Sequence, residues 1–233
     1  MACNMKKHLP NLVTLLNLLC GVLAVICIFE YSLHYAAWLI LAGAVFDFLD
    51  GLVARALGVS GELGKQLDSL ADVVTFGVAP GLIGYSLMAE QTNGAWYSLF
   101  PLMIPLFGAY RLARFNIDTR QSDSFIGLPI PANALFWLAL PLMVYYDNWF
   151  PGAAWMFSAE GLAVFSILFS LLMVSQVKLM ALKFRHVRWN DNQWRYIFVL
   201  ISAVLFFFFF FAAIPIILLL YVLISIIQNR LQP

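Results

Sequence analysis

Four aspartates, arranged in two pairs, are the residues of this sequence best placed to do chemistry. Asp47 and Asp50 are three residues apart, and Asp68 and Asp72 are four residues apart. In an α-helix, both spacings put the members of a pair on one face. Each pair lies in or beside an apolar stretch, where ionisable residues are costly and are by default a hypothesis of function. We therefore expect the two pairs to form a site.

A short turn around residues 58–61 joins the two stretches that carry these pairs. If both stretches are helices, they run antiparallel, and the pairs lie at similar depth, two to three helical turns from the connection. The pairs can then meet across one interface. The small residues Gly51, Ala54 and Gly64 would let the helices, or a ligand, approach closely there.

The chemistry that such a cluster suits is phosphate chemistry with bound cations. Four carboxylates in a medium of low dielectric repel one another unless cations offset their charge. Oxygen ligands favour Mg²⁺, Mn²⁺ or Ca²⁺ over Zn²⁺. Four carboxylates suit two ions that clamp a phosphate during an in-line displacement, and the nearby Arg55 could bind a phosphate through two hydrogen bonds. The pattern predicts two divalent cations, Mg²⁺ or Mn²⁺, held by Asp47, Asp50, Asp68 and Asp72.

A purely structural origin of the aspartates, as helix caps or as partners of Arg55 and Lys65, is the alternative. For a single aspartate that alternative is the better one. For the eight residues Asp47, Asp50, Gly51, Ala54, Arg55, Gly64, Asp68 and Asp72 at fixed spacing, chance occurrence is on the order of 10⁻⁸. The spacing therefore favours function.

The composition predicts that the elements carrying the aspartates lie in a membrane. Of the 233 residues, 63% are hydrophobic and 11% are charged, against about 25% charged in soluble domains. The net charge of +1 gives no reason to expect nucleic acid as a partner. Cys3, Cys20 and Cys27 lack the spacing of a metal site or a disulfide framework.

Apolar stretches of about 20 residues predict the membrane helices. They cover residues 11–29, 35–57, 63–88, 95–113, 128–146, 161–180 and 196–227. The last stretch is long for one helix and short for two, and Pro215 lies near its middle. A turn near Pro215 gives eight spans, whereas a single helix gives seven.

The distribution of charge favours eight spans. Both termini and all thirteen Lys and Arg residues then fall on one side, and the other side carries only acids, Glu30, Glu90, Asp147 and Glu160. Positive charge in short loops marks the cytoplasmic face. We therefore predict an all-α polytopic protein with about eight spans and cytoplasmic termini, in the cell membrane. It would be a single domain (residues 1–233) with a catalytic core at about 10–180 and a C-terminal hairpin at about 195–229.

The eight residues resemble the signature of the CDP-alcohol phosphatidyltransferases, D-x2-D-G-x2-A-R-x8-G-x3-D-x3-D, and match it at every specified position. The resemblance implies an enzyme that transfers a phosphatidyl group from a CDP-linked lipid to an alcohol and releases CMP. It implies that the aspartates bind the metals and that Asp72 is also the general base. It further implies a homodimer, and a CDP site lined by Gly51, Ala54, Arg55 and Gly64.

Direct displacement is the mechanism that the remaining residues favour. No Ser/His or Cys/His nucleophile pair is evident, and His8, His34 and His186 fall on two different faces of the membrane. A carboxylate can instead remove the proton of the attacking hydroxyl.

The acceptor alcohol is indicated by flanking stretches. Residues 10–21, 69–80, 110–116 and 125–132 resemble the integral-membrane branch of the family that forms phosphatidylserine. This resemblance implies CDP-diacylglycerol as donor and L-serine as acceptor. Serine is a zwitterion, so its carboxylate needs a cation. Arg111 and Arg114, three residues apart at the cytoplasmic end of the fourth stretch, could supply it, although both could instead be ordinary positive-inside anchors.

A polar stripe on the first stretch is a further candidate. Asn11, Thr14 and Asn17 recur every three residues in an otherwise apolar segment. Such stripes often join helices, but this one begins on the cytoplasmic side, so we favour contact with cytidine or ribose.

Two other functions stay open on the sequence alone. A relative that uses glycerol 3-phosphate or inositol phosphate would want a denser basic pocket than Arg111 and Arg114 provide. A divalent-cation transporter would use the aspartates but would not need Gly51, Arg55 or Gly64. Transport sites also usually lie at the middle of the membrane rather than near one face.

Overall fold

Apolar helices form nearly all of the chain that the computed structural model describes, which is residues 2–59, 61–117, 125–146, 153–180 and 189–231. Asp147 and His186 lie outside these residues. The helices are α1 (Ala2–Glu30), α2 (Leu33–Leu57), α3 (Glu62–Asp72), α4 (Ala79–Thr92), α5 (Met103–Ile117), α6 (Ile130–Tyr145), α7 (Ala153–Met156), α8 (Ala159–Val174), α9 (Trp189–Phe209) and α10 (Ala213–Leu231).

The turn between α2 and α3 is the one that the sequence predicts. Gly58 ends α2 with a φ of 63°, and its N–H donates to the carbonyls of Ala54 and Arg55. A left-handed residue at this position is usually glycine, because a side chain there is strained. After α3, the chain continues through a π-helical turn (Val73–Val78) into α4. The turn thus joins α2 directly to α3, and both helices pack against α1.

Four helical stretches within the described residues are long and apolar enough to cross a membrane. They are His8–Glu30, Leu33–Leu57, Glu62–Thr92 and Asn192–Asn229. Large apolar side chains remain exposed on the outer faces, for example Leu106 at 69% and Phe207 at 74%. Such exposure is expected when lipid is the solvent. The chain is a helical membrane protein.

The other predicted spans are shorter or less regular than hydropathy suggests. The α6 and α8 helices have sixteen residues each, and a 3₁₀ helix (Trp96–Leu102) that contains Pro101 precedes α5. The α8 helix ends at Val174, whereas the sequence predicts a span to residue 180. There, Lys178–Leu179 (β2) pairs antiparallel with Phe125–Ile126 (β1), so a two-residue ladder accompanies the helices.

The last apolar stretch folds back on itself, slightly before Pro215. A 3₁₀ turn at Phe210–Ala212 separates α9 from α10, and the rings of Phe198 and Tyr221 lie 5.7 Å apart across the hairpin. The turn predicted near Pro215 is therefore confirmed, and it ends three residues before that proline. Pro215 lies in the first turn of α10, where its missing N–H costs no helical hydrogen bond. The number of membrane crossings stays a prediction.

The core lies around α6, which is buried along most of its length. Phe136 and Phe169 pack edge to face with ring centroids 4.8 Å apart, and the indole N–H of the buried Trp137 donates to Asn133 Oδ1. On one side of this core, α1 packs against α2, α3 and the π-helical turn. The candidate site lies among those elements.

Candidate active site

The carboxylates of the two aspartate pairs come together between α2 and α3, which both pack against α1. Asp47, Asp50 and Asp68 each offer a carboxylate oxygen, and the three oxygens lie within 4.8 Å of one another. The Asp47 carboxyl group is also within hydrogen-bonding reach of those of Asp68 and Asp72. The structure thus brings all four side chains into one cluster.

The four carboxylates differ in depth. Asp50 and Asp72 are buried, at 8% and 7% exposure, whereas Asp47 and Asp68 are half-buried. Isolated buried carboxylates are strongly disfavoured unless other groups compensate their charge. This arrangement therefore calls for cations or for hydrogen-bond donors.

The α1 helix supplies two such donors from its polar stripe. Thr14 Oγ1 donates to Asp50 Oδ2 over 2.6 Å, and Asn17 Nδ2 donates to Asp72 Oδ1 over 3.4 Å. Both Thr14 and Asn17 are buried. The stripe thus faces the aspartates. It supplies one hydrogen-bond donor to the aspartate pair of α2 and one to the pair of α3.

A cavity of about 400 Å³ opens beside the cluster, between α1, α2 and α3. A volume of this size is typical of small-molecule sites. Its lining includes Asp50 and Asp68 and most of the residues predicted to bind CDP. The lining residues are His8, Pro10, Asn11, Thr14, Asp50, Gly51, Ala54, Val59, Gly61, Leu63, Gly64, Lys65 and Asp68.

Two residues predicted to bind CDP do not line this cavity. Arg55 is exposed, and its guanidinium nitrogens lie 3.8 Å from the position that a Cβ on Gly51 would take. Asn17 has no exposed surface and lies behind Asp72. Gly64, by contrast, lines the cavity and lets α3 approach α1 closely, because a Cβ there would lie 3.2 Å from Asn11 Oδ1.

Arg111 and Arg114 lie together at a second, narrow cleft. It is formed by the end of α5, the β1 strand and the end of α8, and both arginines line it along with Ser175. The Arg111 Nε atom is buried and has no hydrogen-bond partner among the described residues. The Arg111 charge also interacts with Asp72. A cation with an unused donor therefore lies within electrostatic range of the cluster.

The structure adds a link between α3 and α5 that the sequence does not predict. Lys65 Nζ donates to the carbonyl of Asn116 over 2.7 Å, and Asn116 Nδ2 donates to Ser69 Oγ over 2.8 Å. Lys65 therefore does not neutralise an aspartate here. It ties the helix of Asp68 to the helix of Arg111.

Two ionisable residues of the cavity lining, His8 and Lys65, are not among the predicted site residues. His8 lies three residues before Asn11, so an extension of the polar stripe by one step would have found it. Lys65 directly follows Gly64 of the spaced pattern. No comparable signal in the sequence identifies the partner of Lys65 on α5.

The donor set of the cluster fits a divalent cation. Mg²⁺ and Ca²⁺ take oxygen ligands at about 2.0–2.6 Å, so oxygens in one coordination shell lie roughly 3–5 Å apart. The oxygens of Asp47, Asp50 and Asp68 meet this requirement. The cluster could therefore bind a metal ion.

Comparisons with known proteins agree with this chemistry. The sequence profile of the CDP-alcohol phosphatidyltransferase family matches residues 7–160, which include the aspartates and both cleft arginines. A CDP-diacylglycerol–serine O-phosphatidyltransferase of Helicobacter pylori is 36% identical over 198 residues, which are 84% of this chain and 80% of that protein. A protein of the same name from Methanocaldococcus jannaschii is 33% identical over 222 residues, 94% of this chain and 93% of that protein. An archaetidylserine synthase of Methanothermobacter thermautotrophicus is 39% identical over 143 residues, 60% of each chain.

Proposed function

Because this chain belongs to the CDP-alcohol phosphatidyltransferase family, we propose that it is a CDP-diacylglycerol–serine O-phosphatidyltransferase. It transfers the phosphatidyl group of CDP-diacylglycerol to the hydroxyl of L-serine, giving phosphatidylserine and CMP. The observation that carries this proposal is the meeting of the aspartate pairs beside a cavity lined by the spaced small residues. The names of the relatives support serine as the acceptor.

Two divalent cations, Mg²⁺ or Mn²⁺, are the proposed cofactors. Asp47, Asp50 and Asp68 would hold them, with Asp72 close by. When bound, such ions offset negative charge on the pyrophosphate and on the departing CMP.

The residues of the cavity would bind and orient the nucleotide end of the donor. Asn11 and Thr14 on α1 line it together with Gly51, Ala54 and Gly64. Small residues let a ligand approach the helix backbones closely. Arg55 is exposed and does not line the cavity. Its side chain would bind a phosphate of the donor at the cavity's edge.

Asp72 is proposed to take the proton of the serine hydroxyl. The hydroxyl oxygen forms the new bond to phosphorus as the bond from phosphorus to the CMP oxygen breaks. A carboxylate within reach of the attacking group is suited to this role, and Asp72 is the deeper member of its pair.

Arg111 and Arg114 are proposed to hold the serine carboxylate. Arginine binds a carboxylate through two charge-assisted hydrogen bonds. The unused Nε donor of Arg111 and its interaction with Asp72 support a substrate position between the arginines and the base.

We place the site near the cytoplasmic face of the cell membrane. There, serine, CMP and metal ions are accessible from water, and the diacylglycerol tails stay in lipid. The clustering of basic residues on one side supports this orientation. A single catalytic domain, a homodimer and the absence of a nucleic-acid partner complete the proposal.

The experiment that tests this function uses purified protein, CDP-diacylglycerol and radiolabelled serine. We expect label in phosphatidylserine with one CMP released per molecule formed. Removal of divalent cations with a chelator should stop the reaction, and added Mg²⁺ or Mn²⁺ should restore it. If no CMP is released in the presence of serine, the proposed function is wrong.

A further inference from the structure

One side chain of the α1 stripe has a position that contact with the nucleotide does not explain. Asn17 has 0% exposure and lies outside the lining of the cavity. Its carboxamide nitrogen donates to Asp72 Oδ1. The stripe therefore divides into residues that face the cavity, Asn11 and Thr14, and one that lies behind the carboxylate.

Close packing fixes Asn17 in this place. The backbone carbonyl oxygen of Asn17 accepts a hydrogen bond from Thr75 Oγ1 over 3.0 Å, and Thr75 lies in the π-helical turn that directly follows Asp72. On the other side, a Cβ on Gly43 would lie 3.0 Å from Asn17 Oδ1 and 2.6 Å from Thr75 Cγ2. The carboxamide is thus held between the α2 backbone at Gly43 and the Asp72 side chain.

The chemistry of the carboxamide decides which end faces the aspartate. An ionised carboxylate can only accept hydrogen bonds, and of the two carboxamide ends only the nitrogen donates. The Asn17 nitrogen therefore faces Asp72, and Oδ1 is left with no hydrogen-bond partner among the described residues. Asp72 is thus the side-chain hydrogen-bond partner of the Asn17 carboxamide.

We propose that Asn17 is a positioning residue for Asp72 and does not contact the nucleotide. Its amide holds Oδ1 in place and leaves Oδ2 of Asp72 to take the proton of the acceptor hydroxyl. This inference rests on the proposed function, because it takes Asp72 as the general base.

The test separates positioning from nucleotide binding through kcat and KM. Asn17→Leu has a similar volume but cannot donate a hydrogen bond. We expect kcat to fall about 10–100-fold, as for other residues that orient an active group, with the KM for CDP-diacylglycerol within about twofold of the parent value. A raised KM with kcat retained would mean nucleotide contact and would overturn the proposal.

Asn133→Leu is the matched control. Asn133 is equally buried, and its side-chain hydrogen bond is to Trp137 rather than to a carboxylate. We expect its kcat to be unchanged. An equal loss of kcat in Asn133→Leu would show a general effect of losing a buried amide, which also overturns the proposal.

A second variant covers the case in which Asn17→Leu does not fold. Asn17→Ser is smaller, and its hydroxyl is too short to reach Asp72, so kcat should fall in the same way while the melting temperature in detergent is kept. A Ser variant with parental kcat would contradict the inference. Failure of the proposed function and failure of this inference give different results. If the parent protein forms no phosphatidylserine, the proposed function is wrong. If the parent is active and the Asn17 variants are equally active, the inference about Asn17 is wrong.

Discussion

At the scale of single residues, the four carboxylates have different neighbours and therefore different expected tasks. Asp68 is half-buried and lines the cavity, whereas Asp72 is 7% exposed and lies deeper, beside Asn17. Substitution of a metal ligand should weaken binding of the metal. Substitution of a general base should slow the chemical step.

Asp68→Asn and Asp72→Asn test this division. We expect Asp68→Asn to abolish turnover by weakening metal binding, and Asp72→Asn mainly to lower kcat with the affinity for Mn²⁺ retained. The measurements are turnover at saturating substrate and direct titration of the protein with Mn²⁺. Substantial activity in either variant would refute the role assigned to that residue.

Thr14 should act through Asp50. Thr14→Val removes the hydroxyl that donates to Asp50 Oδ2 while keeping the shape of the side chain. Because groups that orient a metal ligand typically contribute 10–100-fold to metal affinity, we expect about a tenfold weaker Mn²⁺ affinity, measured by direct titration.

Thr92→Val is the control for this change. Thr92 donates only to a carbonyl one turn earlier in α4, so the same substitution there should leave the affinity for Mn²⁺ unchanged. Equal affinities of the two variants would show that the Thr14 hydroxyl does not support the site.

Sequence spacing predicts some of these residue positions and not others. Helical periodicity alone places Asp47 beside Asp50 and Asp68 beside Asp72, because a face is fixed by sequence separation. The same periodicity puts Asn17 on the stripe of Thr14. It cannot tell that Asn17 lies against Asp72 rather than in the cavity, because that depends on how closely three helices approach.

At the scale of elements, two glycines allow that close approach. A Cβ on Gly43 would meet Thr75 Cγ2 at 2.6 Å, and one on Gly21 would overlap Thr75 Oγ1. Both contacts lie where α1, α2 and the π-helical turn meet. The lack of a side chain at these two glycines therefore lets α1 and α2 pack closely against the turn that follows Asp72. This packing places the hydrogen-bond donors of α1 beside the carboxylates.

Gly43→Ala should disturb both packing and activity. Overpacking of this kind typically costs about 1–3 kcal/mol, so we expect a lower melting temperature in detergent and a lower kcat from displacement of Asn17. Gly61→Ala is the control for stability, because a Cβ there meets nothing within 4 Å and its φ of −167° suits any residue. Equal melting temperatures for the two variants would contradict the packing account.

Element boundaries were less predictable than element identity. Hydropathy finds the apolar residues of α9 and α10, but it does not register the reversal at Phe210, which has a φ of 47°. It also cannot see that α8 stops at Val174, since the residues that follow remain partly apolar and pair with β1 instead. Local backbone geometry, which hydropathy ignores, decides both features.

At the scale of the whole molecule, orientation in the membrane decides which solutes reach the site. The basic residues predict that the turn between α2 and α3 faces the cytoplasm and that the end of α4 faces outward. Glu62 and Glu90 are exposed at these two ends. They offer positions at which the orientation can be measured.

Single cysteines at these positions should react differently in intact cells. In a background without Cys3, Cys20 and Cys27, we expect Glu90→Cys to react with a membrane-impermeant maleimide, and Glu62→Cys to react only after the cells are opened. The reverse pattern would place the aspartate site on the outer face and would refute the predicted orientation.

At this scale, the proposed site pairs an aspartate-lined cavity for the nucleotide with an arginine-lined cleft for serine. A panel of acceptors tests it most directly: purified protein, CDP-diacylglycerol and Mg²⁺ or Mn²⁺, with L-serine, glycerol 3-phosphate or inositol phosphate at equal concentration, and the lipid product identified by mass spectrometry. We expect phosphatidylserine, formed together with CMP, as the main product, because two arginines can neutralise one carboxylate but make a sparse pocket for a phosphate. Efficient use of glycerol 3-phosphate with refusal of serine would contradict it.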